Sequence, residues 1–121
     1  MFEAPAVVIA VVEDDEGMRQ AMRRLLEAEG FATEVFASAE ALLAAGAAER
    51  ARCLVLDLQL PGMSGVELDR RLRDDGRELP TLFVTGREDL RRNLRVFDRC
   101  LVKPFPGEVF IEAVRANAAH K

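Results

Sequence analysis

The sequence predicts a doubly wound α/β sandwich: a five-stranded parallel sheet with five helices distributed over its two faces. Three observations predict it. Short apolar runs alternate with helix-patterned stretches along the whole chain, and such alternation implies successive βαβ units with right-handed crossovers. The runs at 7–12 and 53–56 are continuously apolar, as strands covered on both faces must be. Polar residues with chemical capacity stand directly after the runs, where open α/β sheets place their ligands. With 121 residues the chain has the size of one domain, able to bury a core without metals or disulfides.

Each element has its own signal. After the first strand (7–12), Met18, Met22, Leu25, Leu26 and Glu29 recur at helical spacing and Gly30 supplies a stop. Residues 32–36 read as a second strand, and Ser38 can cap a helix running to about Ala48. The third strand, 53–56, ends at Asp57. Pro61 and Gly62 mark a loop, after which Ser64 and Glu67 form a capping-box pattern for a helix to about Asp74. Residues 79–84 make a fourth strand ending at Thr85; 88–97 has weak helical character; 100–102 is a short strand ending at Lys103. Val109, Phe110, Ala113, Val114 and Asn117 outline a last amphipathic helix.

Composition narrows the function. Half the residues are hydrophobic and 31% are charged, with a net charge of -4, so nothing marks a nucleic-acid surface. The arginine clusters at 19–24, 70–73 and 91–95 are interleaved with acids and read as solvated helix faces. No run approaches the ~18 apolar residues that span a bilayer, and the apolar stretch at 4–12 lacks a basic lead, so no membrane contact is expected and the cytoplasm is the expected location. Cys53 and Cys100 lie in strand-like segments without metal-ligand spacing and read as reduced core thiols.

The residues after the strands form a chemical set: Glu13, Asp14 and Asp15, then Asp57, Thr85 and Lys103. All should gather at one sheet edge. Converging carboxylates repel unless a hard divalent cation with oxygen ligands relieves them. Acids for Mg²⁺, one hydroxyl and one ammonium suit phosphoryl transfer, which depends on positioning and charge stabilisation. Asp57 would be the nucleophile, and Asp14 and Asp57 would hold Mg²⁺. Glu13 would bind the metal directly or through water, and the carbonyl of Gln59 would complete the shell. Thr85 and Lys103 would bind the transferred group. Asp15 reads as a helix N-cap. Gln59 and Arg87 should rim the site. Singly, each residue has an ordinary structural reading as a cap, turn or surface residue.

The motifs VVEDDEGMR (11–19), LVLDLQLPGMSGVEL (54–68), FVTG (83–86) and LVKPF (101–105) resemble the response-regulator receiver family of two-component signalling over the full chain, 1–121. FASAEALL (36–43) is further similar to receivers joined to LuxR-type helix-turn-helix domains. The resemblance implies a flavodoxin-like strand order 2-1-3-4-5. It implies Glu13 and Asp14 as acidic pair, Asp57 as phosphoacceptor, Thr85 as switch hydroxyl and Lys103 as the paired lysine, with a cis Lys103–Pro104 bond. It also implies a sensor histidine kinase or phosphotransfer protein as phosphoryl donor, self-catalysed acceptance and loss of the group with no other enzyme activity, and a second copy of the chain as a candidate partner. Two departures stand out. Cys100 occupies a position that is usually aromatic, and Thr85 to Lys103 spans 18 residues, about four fewer than usual, roughly one helical turn. The fourth helix is therefore expected to be short or displaced, and the protein to signal through a different surface or to dimerise differently. Two alternatives remain: a degenerate receiver acting as a phosphorylation-independent interaction module, and a Mg²⁺-dependent phosphatase with an aspartyl nucleophile. Gln59 stands where such a phosphatase generally needs a second acid.

Overall fold

A computed structural model describes residues 7–95 and 98–119. Five strands, β1 (Val8–Val12), β2 (Ala32–Phe36), β3 (Cys53–Asp57), β4 (Thr81–Thr85) and β5 (Arg99–Val102), form one sheet in the order β2-β1-β3-β4-β5. Every pairing is parallel. Four α-helices connect and follow them: α1 (Glu16–Ala28), α2 (Ala39–Ala45), α3 (Gly65–Asp74) and α4 (Gly107–Ala118). Between β4 and β5 stands a 3₁₀ segment, Glu88–Asn93, in place of the fourth helix. This is the flavodoxin-like arrangement of five strands and five helical connections, with the fourth shortened as expected. Val96 and Phe97, the end of the expected fourth helix, lie outside the described residues.

The alternation of side chains along each strand separates two cores. Ile9, Val11, Cys53, Val55, Leu82 and Val84 pack with Met22 and Leu26 of α1 and Phe110 and Val114 of α4. Ala10, Val12, Leu54, Leu56 and Phe83 turn to the other face, against Leu42 of α2 and Leu68 and Leu72 of α3. The central strands are apolar throughout because both sides are covered. Each large side chain buried this way contributes about 1.5–3 kcal/mol.

Local signals set most boundaries. Asp15 caps α1 by accepting from the Met18 N–H at 2.7 Å. Ser38 caps α2 through the Ala41 N–H. Ser64 and Glu67 make both bonds of the capping box. The Lys103–Pro104 bond is cis. Four expectations shift. α2 stops at Ala45 because Gly46 turns left-handed (φ 65°), and Ala47–Glu49 continues only as a 3₁₀ turn. β4 starts at Thr81, since Pro80 has no N–H for a ladder bond. Leu25 and Val109 are exposed, and Ile111 takes the core position instead of Val109. Cys100 is only half-buried, because β5 is an edge strand.

Candidate functional site

The strand register determines which side chains meet. Val12 pairs with Leu56, so Glu13 and Asp57 emerge side by side from the two central strands. The Glu13 N–H donates to the Phe36 carbonyl (3.0 Å) and the Leu58 N–H to the Val84 carbonyl (2.9 Å), so the ladder holds to the sheet's end. On the next strands, Thr85 pairs with Val102 and its carbonyl accepts from the Lys103 N–H at 2.7 Å. Sheet geometry alone therefore delivers all four positions to one edge.

Side chains close the arrangement. Lys103 Nζ donates to Glu13 Oε1 (2.7 Å) and to Asp57 Oδ2 (2.9 Å), bridging two carboxylates that are almost wholly buried. Asp57 Oδ1 accepts from the Gln59 N–H at 2.8 Å. Glu13 Oε2 accepts from the Asp15 N–H at 3.1 Å. Carboxylate oxygens of Glu13, Asp14 and Asp57 all lie within 4.8 Å of one another, with Asp14 exposed at the mouth. Three hard oxygen donors, two buried and one open to solvent, fit a small divalent cation that keeps some of its water.

Electrostatics shows the strain of this cluster. Burial, with a contribution from the Asp57 charge, pushes the Glu13 carboxyl up to about 7 even though Lys103 and the Asp15 N–H pull it down. Burial also works against the Lys103 ammonium, but bonds to Glu13 and Asp57 outweigh it and hold its pKa above the usual lysine value. One ammonium thus serves two buried acids, and a third acid stands beside them. The site is short of positive charge.

Thr85 is fully buried at the edge, and its hydroxyl is occupied locally: it accepts from the Arg87 N–H (2.9 Å) and donates to the Arg87 carbonyl (3.1 Å). Gln59 is exposed and reaches Asp57 through its backbone N–H. The Arg87 side chain is drawn to Asp89 by two contacts of 2.7 and 3.2 Å, so it does not extend over the acids as a free rim cation. Arg19 was not singled out from the sequence, yet its guanidinium donates to the carbonyls of Glu13 (2.9 Å) and Asp14 (3.3 Å) and so supports the acidic turn. Its position one turn into α1, after EDDEG, was the available signal.

A family model for the response regulator receiver domain matches residues 9–115. The chain belongs to that family. It is 36% identical over 116 residues to the transcriptional regulatory protein FixJ of Rhizobium meliloti, covering 93% of this chain and 57% of FixJ. It is 31% identical over 115 residues to the response regulator protein TodT of Pseudomonas putida strain F1, covering 92% and 51%. The chain thus spans about half the length of these relatives. Among solved structures, FixJ-N matches with a TM-score of 0.81 at 34% identity, over 98% of each chain. The response regulator StyR matches with a TM-score of 0.85 at 32% identity, over 94% of this chain and 60% of StyR. The receiver reading of the motifs agrees with these matches, as does the likeness to receivers of transcriptional regulators. As a receiver domain it is a signalling module. No helix among the described residues is long and apolar enough to cross a membrane.

Proposed function

We propose that the whole chain, 1–121, is one phosphoryl-accepting unit in which Asp57 takes the group from a phosphohistidine on a sensor histidine kinase or phosphotransfer protein. The observation that carries this reading is the Lys103 ammonium seated between the buried carboxylates of Asp57 and Glu13. A carboxylate oxygen of Asp57 attacks phosphorus, an O–P bond forms as the N–P bond breaks, and the departing imidazole keeps the electron pair. Glu13, Asp14 and Asp57, with the Gln59 carbonyl, would hold Mg²⁺, whose positive charge would offset the negative charge of the phosphoryl oxygens. Lys103 stays in reach of the new acyl phosphate as its charge partner. Thr85 would exchange its bonds to Arg87 for one to the phosphoryl group, which makes the 85–87 turn the first backbone to feel the event. The same site accepts the group and loses it by hydrolysis, and the unit works in the cytoplasm.

Incubation with acetyl phosphate and Mg²⁺, followed by intact mass, tests the reading. The expected result is one Mg²⁺-dependent phosphoryl adduct, absent in Asp57→Asn. No adduct on the native chain would instead indicate a phosphorylation-independent interaction module. Steady turnover of phosphate esters would indicate a phosphatase, although Gln59 offers Asp57 only a backbone N–H and no acid.

A further inference from the structure

The loop 58–64 that follows Asp57 leaves from that residue and returns to it. Gly65, the first residue of α3, packs so closely on Asp57 that a Cβ there would stand 2.4 Å from the Asp57 carbonyl oxygen and 3.5 Å from Leu58 Cα. At the outgoing end, the Gln59 N–H is bonded to Asp57 Oδ1 at 2.8 Å. Both ends of the loop therefore lie against Asp57, the outgoing one bonded to it and the returning one in close backbone approach.

The tip is held from elsewhere. Glu40, in the first turn of α2, accepts from the Met63 N–H through Oε2 at 3.0 Å. The same oxygen lies against Gly62, where a Cβ would come within 2.6 Å of it, and Gly62 has a φ of 71°. Glycine at this point both turns the chain through the left-handed region and leaves room for the carboxylate. The Ser64 N–H is taken by Glu67 within α3's own capping box, while the Met63 N–H just before it is met by an acceptor from another element. Bonds from Met63 and from its own backbone N–H hold the Glu40 carboxyl below the usual range, in line with a charge committed to the loop. No arginine or lysine among the described residues pairs with Glu40.

We infer that Glu40 is a positioning residue for the Asp57 site, clamping the loop tip through Met63 and so keeping the Gln59 backbone in register with the metal-binding carboxylates. The inference rests on the metal part of the reading above. Glu40 itself touches neither the acids nor the reacting atoms. Its effect passes through the loop, whose Leu60 and Met63 side chains also pack against the core, while Glu40 supplies the polar hold on the Met63 backbone.

Two readouts test the clamp without phosphoryl chemistry: a Mg²⁺ titration followed by backbone amide shifts, and hydrogen exchange at the Met63 amide. Loss of one charge-assisted bond at an exposed position predicts that Glu40→Ala speeds Met63 exchange roughly tenfold and weakens Mg²⁺ binding about threefold. Glu40→Gln loses the same charge but keeps an acceptor at the same reach, and should stay within about twofold of the native protein in both readouts. That rescue separates positioning from simple charge removal near a cation site. Unchanged Met63 exchange in Glu40→Ala overturns the inference. So does faster exchange with unaltered Mg²⁺ affinity, or a native protein that binds no Mg²⁺. Absence of the acetyl phosphate adduct with Mg²⁺ binding intact would count against Asp57 as acceptor, while the clamp is still decided by the two readouts.

Discussion

The two halves of the sheet's functional edge are built differently. Around β1 and β3, every connection is closed: Asp15 caps α1, the capping box opens α3, Glu40 holds the loop tip, and Asp57 and Glu13 are buried. Around β4 and β5, the connection is a 3₁₀ segment whose N-cap, Arg87, makes no side-chain capping bond, and which contributes no buried residue. A polar cleft of about 410 Å³ opens beside it, lined by arginines that face Glu88 and Asp98 and by Cys100. The proposed chemistry thus sits in the half whose connections are closed by caps and buried groups, and the other half is joined by a 3₁₀ segment with no buried residue. Lys103 belongs to the second half by sequence and to the first by contact. It is a side-chain tie between them, added to the β3–β4 ladder.

The largest expected contrast concerns two cations, one from each environment. Lys103→Met removes the partner of two buried acids, and in metal-free buffer this should lower the unfolding free energy by about 3 kcal/mol. Arg91→Met removes a guanidinium that meets Glu88 only at 3.6 Å on the surface, and should cost less than about 0.5 kcal/mol. Urea denaturation of both variants with EDTA present checks the pair. Equal losses would erase the distinction between the two halves.

What the sequence made legible follows the same division. β1, β3 and the starts of α1 and α3 were readable because period, cap and burial all point the same way there. The acidic edge was readable because parallel topology brings every strand end to one side. Contacts between elements distant in sequence were not readable. Nothing in a linear reading pairs Glu40 with Met63; the local choices that occupy Arg87 with Asp89 and the Thr85 hydroxyl with the Arg87 backbone, each two residues apart, were not readable either, because many rotamers compete there. The missing turn after Thr85 could be counted, but its replacement by a 3₁₀ segment depends on how a shortened connection still reaches β5. The exposure of Leu25 escaped for a related reason: helical spacing marks a face, and the packing of α4 across α1 decides how much of that face is covered.

A second contrast lies in pH dependence. Glu13 has its carboxyl raised to about 7 in the folded protein, chiefly by burial, against 4.5 without that environment. The folded state then holds a proton that the unfolded state has released, so stability falls as pH rises from about 4.5 through about 7. The loss should be on the order of 2 kcal/mol in EDTA. It should shrink in Glu13→Gln and when Mg²⁺ is added, because the cation favours the charged carboxylate. Asp89, on the other side, is held low by Arg87, and contributes in the opposite sense: its stabilisation is present above the ordinary Asp range and lost as pH falls. Urea midpoints at pH 5 and 7.5 with EDTA read the difference. A midpoint that rises across this range would contradict the buried-acid account.

The smallest effect on stability, and the most local probe, comes from the two thiols. Cys53 sits in central strand β3, fully buried, and burial pushes its thiol up to about 12. At pH 8 only about 10⁻⁴ of it is thiolate, and labelling also requires opening the middle of the sheet. Cys100 sits on edge strand β5, half-buried beside the cleft. Its thiol is raised by the same cause, with Arg91 pulling it back. Iodoacetamide at pH 8 should therefore modify Cys100 at least about 100-fold faster than Cys53, resolved by peptide mass. If β5 is held as firmly as β3, the gap narrows, because both sites would then wait for the same global unfolding. A wide gap that persists when the Asp57 site is occupied would place the opening of β5 outside the control of that site. A gap that narrows on occupancy would link the opening of β5 to the Asp57 site, which Lys103 touches directly.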